Sequence, residues 1–130
     1  MSKSVVQSFR AATTLAAYRI VAVTAAETVG YPANNQALPI GVTLDSNEDT
    51  TTAIPVAMAG SIAKVEFNDT VSAAGLVSSD SNGKGVPFTL ANTTTALTLA
   101  SAYLGPLLGA AVAATGTIAD VVIMPGFDRE

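Results

Sequence analysis

Lys64 and Glu66 stand two residues apart in a segment that alternates like a strand, so an amine and a carboxylate share one strand face with Ile62. In an enzyme such a pair could move a proton. On a solvent-facing strand it is an ordinary ion pair, and that is the reading adopted. The other lysines offer less: Lys3 lies near the chain start and Lys84 sits in a turn sequence, where a solvated charge is expected. The chain has no His and no Cys, which removes imidazole acid–base chemistry, thiolate chemistry and the usual soft metal ligands. A Ser nucleophile would then need Lys or a carboxylate as its base.

Asp45, Asn47 and Asp49 have the spacing of the first three ligands of a calcium loop. That loop requires Gly at its sixth place and a bidentate Glu at its twelfth, and here those places hold Thr50 and Val56. A solvated acidic loop is the better reading. Gly83-Lys84-Gly85 lacks the glycine spacing and the Ser or Thr of a phosphate loop, and Val86-Pro87 leads into a strand. Asn68-Asp69-Thr70 and Asn92-Thr93-Thr94 match the glycosylation sequon, which carries meaning only on a secretory route. Asp69 and Asp120 have no spacing partner; Asp120 is expected to face solvent or to meet an Arg across an interface. No catalytic, cofactor-binding or metal residue is assigned, and the chain reads as non-enzymatic.

The elements around these residues are strands. Leu38, Ile40, Val42 and Leu44 alternate with Pro39, Gly41, Thr43 and Asp45, the period of a half-buried strand. Ile54, Val56 and Met58 repeat the pattern, and Ala59-Gly60 offers a turn into 61–67. Leu15–Thr24 is rich in Val, Ile and Tyr and reads as a strand. Thr24-Ala25-Ala26-Glu27 has capping-box spacing for one helical turn, cut short by Gly30 and Pro32. Asn82-Gly83 predicts a type I′ hairpin between Leu76–Ser79 and Val86–Leu90. The Thr-rich stretch Ala91–Ser101 favours extended or irregular structure over helix. Ala114-Thr115-Gly116 is a turn before the most strand-like run, Thr117–Met124, which Pro125-Gly126 ends. Val5, Val6 and Phe9 have no turn signal joining them to a near neighbour. They suit either a first or edge strand or an extended arm that adds to another subunit's sheet or lies across a partner surface.

The prediction is an all-β chain, a small β-barrel or compact sandwich-like domain, with an extended N-terminal arm and at most one or two short helical segments. The arm spans 1–14, the domain 15–126 and a short tail 127–130. Six basic against ten acidic residues give a net charge of −4, which disfavours nucleic acid and anionic membranes as partners. No stacking aromatics stand beside a basic patch, which also counts against single-stranded nucleic acid. Ala102–Ala114 is too short to span a bilayer as a helix and contains Pro106, so it reads as core or interface. Val5–Arg10 is interrupted by polar residues too early for a signal core. Hydrophobic residues make up 49% of the chain but aromatics only 5%, and much of the apolar content is Ala, so burial by oligomerisation is expected. No small-molecule substrate is implied.

The order of several short segments resembles the small capsid decoration proteins of tailed bacteriophages. They are Tyr18-Arg19-Ile20-Val21, Leu38-Pro39-Ile40-Gly41-Val42, Val56-Ala57-Met58-Ala59-Gly60, Val71–Leu76 running into Asp80–Gly85, and Leu108–Ala113 followed by Ile118–Ile123. Together they cover about residues 15–124. The resemblance implies a compact β-barrel-like domain, homotrimeric, on the outer surface of the phage head, assembled in the host cytoplasm. Its partner would be the major capsid protein, whose neighbouring subunits it would bridge to stabilise the shell; the alternatives are another virion structural component, such as a head–tail connector or spike-base protein, or a non-viral β-scaffold binding module. Such a family supplies no catalytic residues and no cofactor. The expected capsid or inter-subunit contacts are Val5, Val6, Phe9 and Arg10. The Thr-rich stretch 91–101 departs from the compact family pattern.

Overall fold

The computed structural model describes residues 5–32, 38–46, 53–88 and 101–128. Among them there is no helix: twelve strands make a closed five-stranded barrel and three small sheets packed beside it. The all-β expectation holds, and the helical turn expected at Thr24–Glu27 does not form. There Glu27 takes φ +53° and turns the chain directly between two strands. Once Glu27 leaves the helical region, a capping box has nothing to cap.

The barrel strands are β1 (Val6–Ala11), β2 (Ile20–Ala25), β3 (Thr28–Gly30), β4 (Gly41–Thr43) and β5 (Ile54–Met58), in the spatial order β1-β3-β2-β4-β5. β1 closes it. Val6, Gln7, Ser8 and Phe9 pair antiparallel with Ala57, Val56, Pro55 and Ile54, while Arg10 and Ala11 pair parallel with Thr28 and Val29. Residues 6–11 are therefore a barrel strand, bonded on both edges, and not a separate arm. Of the two readings open from sequence, the strand is correct, as a first strand that closes the barrel and not as an edge.

Alternation sorts side chains between two cores. Inside the barrel, Ala11, Val21, Val29, Ile54 and Val56 meet Leu15, with Phe9, Tyr31, Ile40 and Met58 packed against them. A barrel this narrow is filled by side chains. Ile20, Val42 and Ala57 point the other way, out of the β2–β4–β5 wall, into a second core. That core is completed by Ala63, Val65, Phe67, Val71, Val77, Leu104, Leu107, Val112, Val121 and Ile123. One wall of strands thus serves two hydrophobic layers, each fully buried Val, Ile or Phe contributing about 1.5–3 kcal/mol.

The strands around the second core are β6 (Ile62–Glu66), β7 (Leu76–Ser79), β8 (Gly85–Pro87), β9 (Ser101–Tyr103), β10 (Gly105–Pro106), β11 (Ile118–Val122) and β12 (Gly126–Asp128). β6 pairs with β11, β7 lies between β10 and β8, and β9 pairs with β12. Phe127 and Asp128 thus belong to a strand and not to a tail. Most of Ala102–Leu107 is buried, in keeping with the core reading of that run. Gly105 (φ +155°) lets β10 lie against β11, because a Cβ there would meet the Val122 carbonyl.

Three local expectations change. The β7–β8 hairpin forms, but only Gly83 has positive φ (+75°) at its tip, so the turn is not type I′. Instead Asp80 Oδ1 accepts the Asn82 and Lys84 N–H groups, both at 2.9 Å, and this side-chain cap shapes a longer loop. Residues 15–19 are irregular, with Tyr18 at φ +63°, so β2 starts only at Ile20. In the 38–44 segment only Gly41–Thr43 is strand; Leu38 and Leu44 are exposed. Asn47, Asp49, Lys3, the second sequon at Asn92 and the Thr-rich stretch up to residue 100 lie outside the described residues.

Candidate contact surface

The four residues expected to make contacts divide in two. Val5 and Val6 are about half exposed, and Arg10 is exposed. Phe9 is partly buried against the barrel core, so its ring is committed to the fold. Val5 is fixed by its backbone: its N–H donates to Ser61 Oγ at 2.6 Å, and its carbonyl accepts from Met58 N–H at 2.7 Å and from the Ser61 hydroxyl at 3.2 Å. Ser61 is itself fully buried. Gly60 N–H donates to the Ile123 carbonyl, and Ile123 N–H to that of Ser61, both at 2.9 Å. The start of β1, the β5–β6 turn and the end of β11 therefore converge, and exposed Val5, Ile62 and Met124 surround the junction. Exposed apolar groups held on a rigid, hydrogen-bonded frame suit a protein contact.

The charged side chains are engaged elsewhere. Lys64 does not pair with Glu66. Its Nζ lies 3.4 Å from Asp120 Oδ1, directly across from it in the β6–β11 register. Residues opposite each other across two strands are closer than same-face neighbours two apart on one strand, so the cross-strand partner wins. Asp120 accordingly faces solvent, the first of its two expected placements, and meets a Lys of its own chain. Glu66 instead sits between Arg19 Nη2 at 3.5 Å and Lys84 Nζ at 3.4 Å, all three side chains mostly buried. Arg19 Nη1 also donates to the Asn82 carbonyl at 3.1 Å, and its guanidinium lies 5.9 Å from the centre of the Tyr31 ring. Ile20 N–H donates to the Gly83 carbonyl at 2.7 Å. One carboxylate thus fastens the barrel, β6 and the β7–β8 hairpin together.

Replacing Glu66 by Gln leaves two cations facing each other with no counter-charge. The expected loss is about 1–3 kcal/mol, read by chemical denaturation, and the variant's stability should respond more to added salt than the wild type's. A Glu66→Gln protein as stable as wild type would show that the network is incidental.

Among the described residues no group of three or more His, Cys, Asp or Glu side chains could hold a metal ion. The sequence reading missed Ser61 as an anchor and Arg19–Glu66–Lys84 as a network, since each joins segments far apart in the chain. It placed Ile62, Lys64 and Glu66 correctly on one strand face.

No protein-family model and no curated protein matches this chain. Among solved structures it is similar to the head fiber gp8.5 N base in bacteriophage phi29, with a TM-score of 0.63 at 18% identity, over 94% of this chain and 95% of that one. At that identity the likeness is one of fold, and it extends over almost the whole of both chains.

Proposed function

We propose that the chain is a structural protein of a tailed-bacteriophage virion that decorates the outer surface of the head, where it binds and bridges major capsid protein subunits and stabilises the shell. The observation that carries this reading is the end-to-end fold likeness to a phage head fiber base. The resemblance of the order of short segments to capsid decoration proteins points the same way. The assembly expected on this reading is a homotrimer, and repeated weak contacts on equivalent capsid sites would add through avidity. The mechanism is mechanical: a rigid two-core domain spans neighbouring subunits and adds buried area between them. Val5, Val6 and Arg10 are the proposed contacts at the β1 strand, with Phe9 holding the strand in place from inside.

The test uses heads lacking this protein. Purified protein is mixed with them, and the heads are sedimented. Wild type should travel with the heads. Val5→Asp with Val6→Asp should retain its melting temperature and bind roughly tenfold more weakly, the scale of losing one or two apolar interface anchors. Wild type left in the supernatant at saturating concentration would refute the capsid role for that head.

A second reading, the base of a spike or fibre, is favoured by the similar protein being an N base. Gold-labelled protein would then mark a restricted set of projecting structures instead of the whole head surface.

A further inference from the structure

The outer face of the β6–β11 ribbon is partly apolar, and no described residue covers it. Ile62 is 40% exposed and Ile118 45%, on opposite strands and at opposite ends of the face. Leu108, 51% exposed, lies beside Asp120, to whose carbonyl its N–H donates at 3.0 Å. In the register of the ribbon Ile62 is opposite Val122, and Lys64 is opposite Asp120. The Lys64 and Asp120 side chains are 60% and 45% exposed, so each has room for a second partner above the sheet.

We infer that this face packs on the same face of a second copy of the chain, about a twofold axis parallel to the strands and midway between β6 and β11. That axis lays β6 of one copy over β11 of the other. Ile62 then meets Val122 of the partner subunit, and Lys64 meets the partner subunit's Asp120, twice by symmetry. Each exposed ion pair becomes one half of a ring of four alternating charges. Turning the axis to run across the strands would set like charges together, Lys64 on the partner's Lys64, so the charge pattern selects one arrangement. Glu66 does not oppose it, because Arg19 and Lys84 already neutralise its carboxylate. A face of two short strands is small against the ~1,000 Å² total that marks a specific interface, so the association is reversible and not obligate. This pairing does not rest on the proposed function.

Sedimentation velocity across a concentration series tests it, using Lys64→Asp and Asp120→Lys separately and as an equimolar mixture. Wild type should show a concentration-dependent doubling of mass, and each single variant should associate at least tenfold more weakly. The mixture should associate again, because every pair between copies is then of opposite charge. The intrachain pair stays broken in both variants, so recovery in the mixture cannot come from repair of the fold. Should either reversal disturb folding by circular dichroism, Ile62→Lys at an exposed position is expected to abolish the doubling with an unchanged melting temperature. A wild type whose mass does not change with concentration overturns the inference, as does a doubling that survives these substitutions, or a mixture of folded single variants that stays apart.

Discussion

Deleting residues 1–10 is expected to abolish cooperative folding. The deletion removes almost all of β1, which pairs with β5 on one edge and β3 on the other. Without it the barrel opens into a sheet with two free edges, and Val29, Ile54 and Val56, all buried in the native chain, lose their cover. Phe9 leaves the barrel core, and the Val5–Ser61 contacts to the β5–β6 turn are lost. Each lost ladder bond is worth about 1 kcal/mol and the apolar exposure several more, against a total of only ~5–15 kcal/mol for a typical domain. Thermal melting followed by circular dichroism should show a broad, non-cooperative decline. A truncated protein melting cooperatively within a few degrees of the full chain would mean that these residues act as a detachable arm.

Phe67→Ala is expected to cost about 3–5 kcal/mol, the range for removing a fully buried aromatic. Phe67 is the largest of the completely buried side chains and lies in the second core. Its ring packs directly over Gly85, where a Cβ would come within 2.7 Å of two ring carbons. Its backbone is equally committed: Phe67 N–H donates to the Thr117 carbonyl at 2.8 Å, and its own carbonyl accepts from Gly116 N–H at 2.7 Å. That double fixing limits how far the strand can collapse into the space left behind, which puts the cost at the upper end. Urea denaturation gives the value directly; a loss below about 1 kcal/mol would mean that the second core tolerates a void its packing should not.

Both predictions depend on long-range contacts, and these were the least legible in the sequence. Strands with local signals were read correctly in place: β5 by the alternation of Ile54, Val56 and Met58, β7 by its position before a Gly-rich turn, β11 by its run of Ile and Val. The β7–β8 hairpin was also evident, though Asn-Gly suggested the wrong turn because the Asp80 side chain, and not two residues of positive φ, shapes it. β1 was ambiguous because its partners lie 18 residues away in β3 and 45 or more away in β5, and no local pattern points to them. Tyr18, Glu27 and Ala74 adopt positive φ without being Gly, and such positions leave no mark in composition. Of the four proposed contact residues, the sequence indicated the accessibility of three. Val5, Val6 and Arg10 are exposed as expected, while Phe9 is claimed by a barrel that only the fold reveals.

The double use of the β2–β4–β5 wall also explains how so few aromatic residues suffice. Ile20 and Ala57 face the second core from strands whose next residues, Val21 and Val56, line the first, so small side chains on both faces let two thin layers share one set of backbones. Gly41 belongs to the same economy: a Cβ there would strike the Ala57 carbonyl, so β4 and β5 can approach only because it is absent.

The most direct test of the proposed role is a difference map by electron cryomicroscopy between heads with and without the protein added. The proposal predicts extra density on the outer surface, repeated at equivalent positions and touching at least two major capsid protein subunits at each, into which the two-core domain fits. Heads whose outer surface is unchanged, or whose extra density contacts a single subunit at each position, would contradict a bridging role.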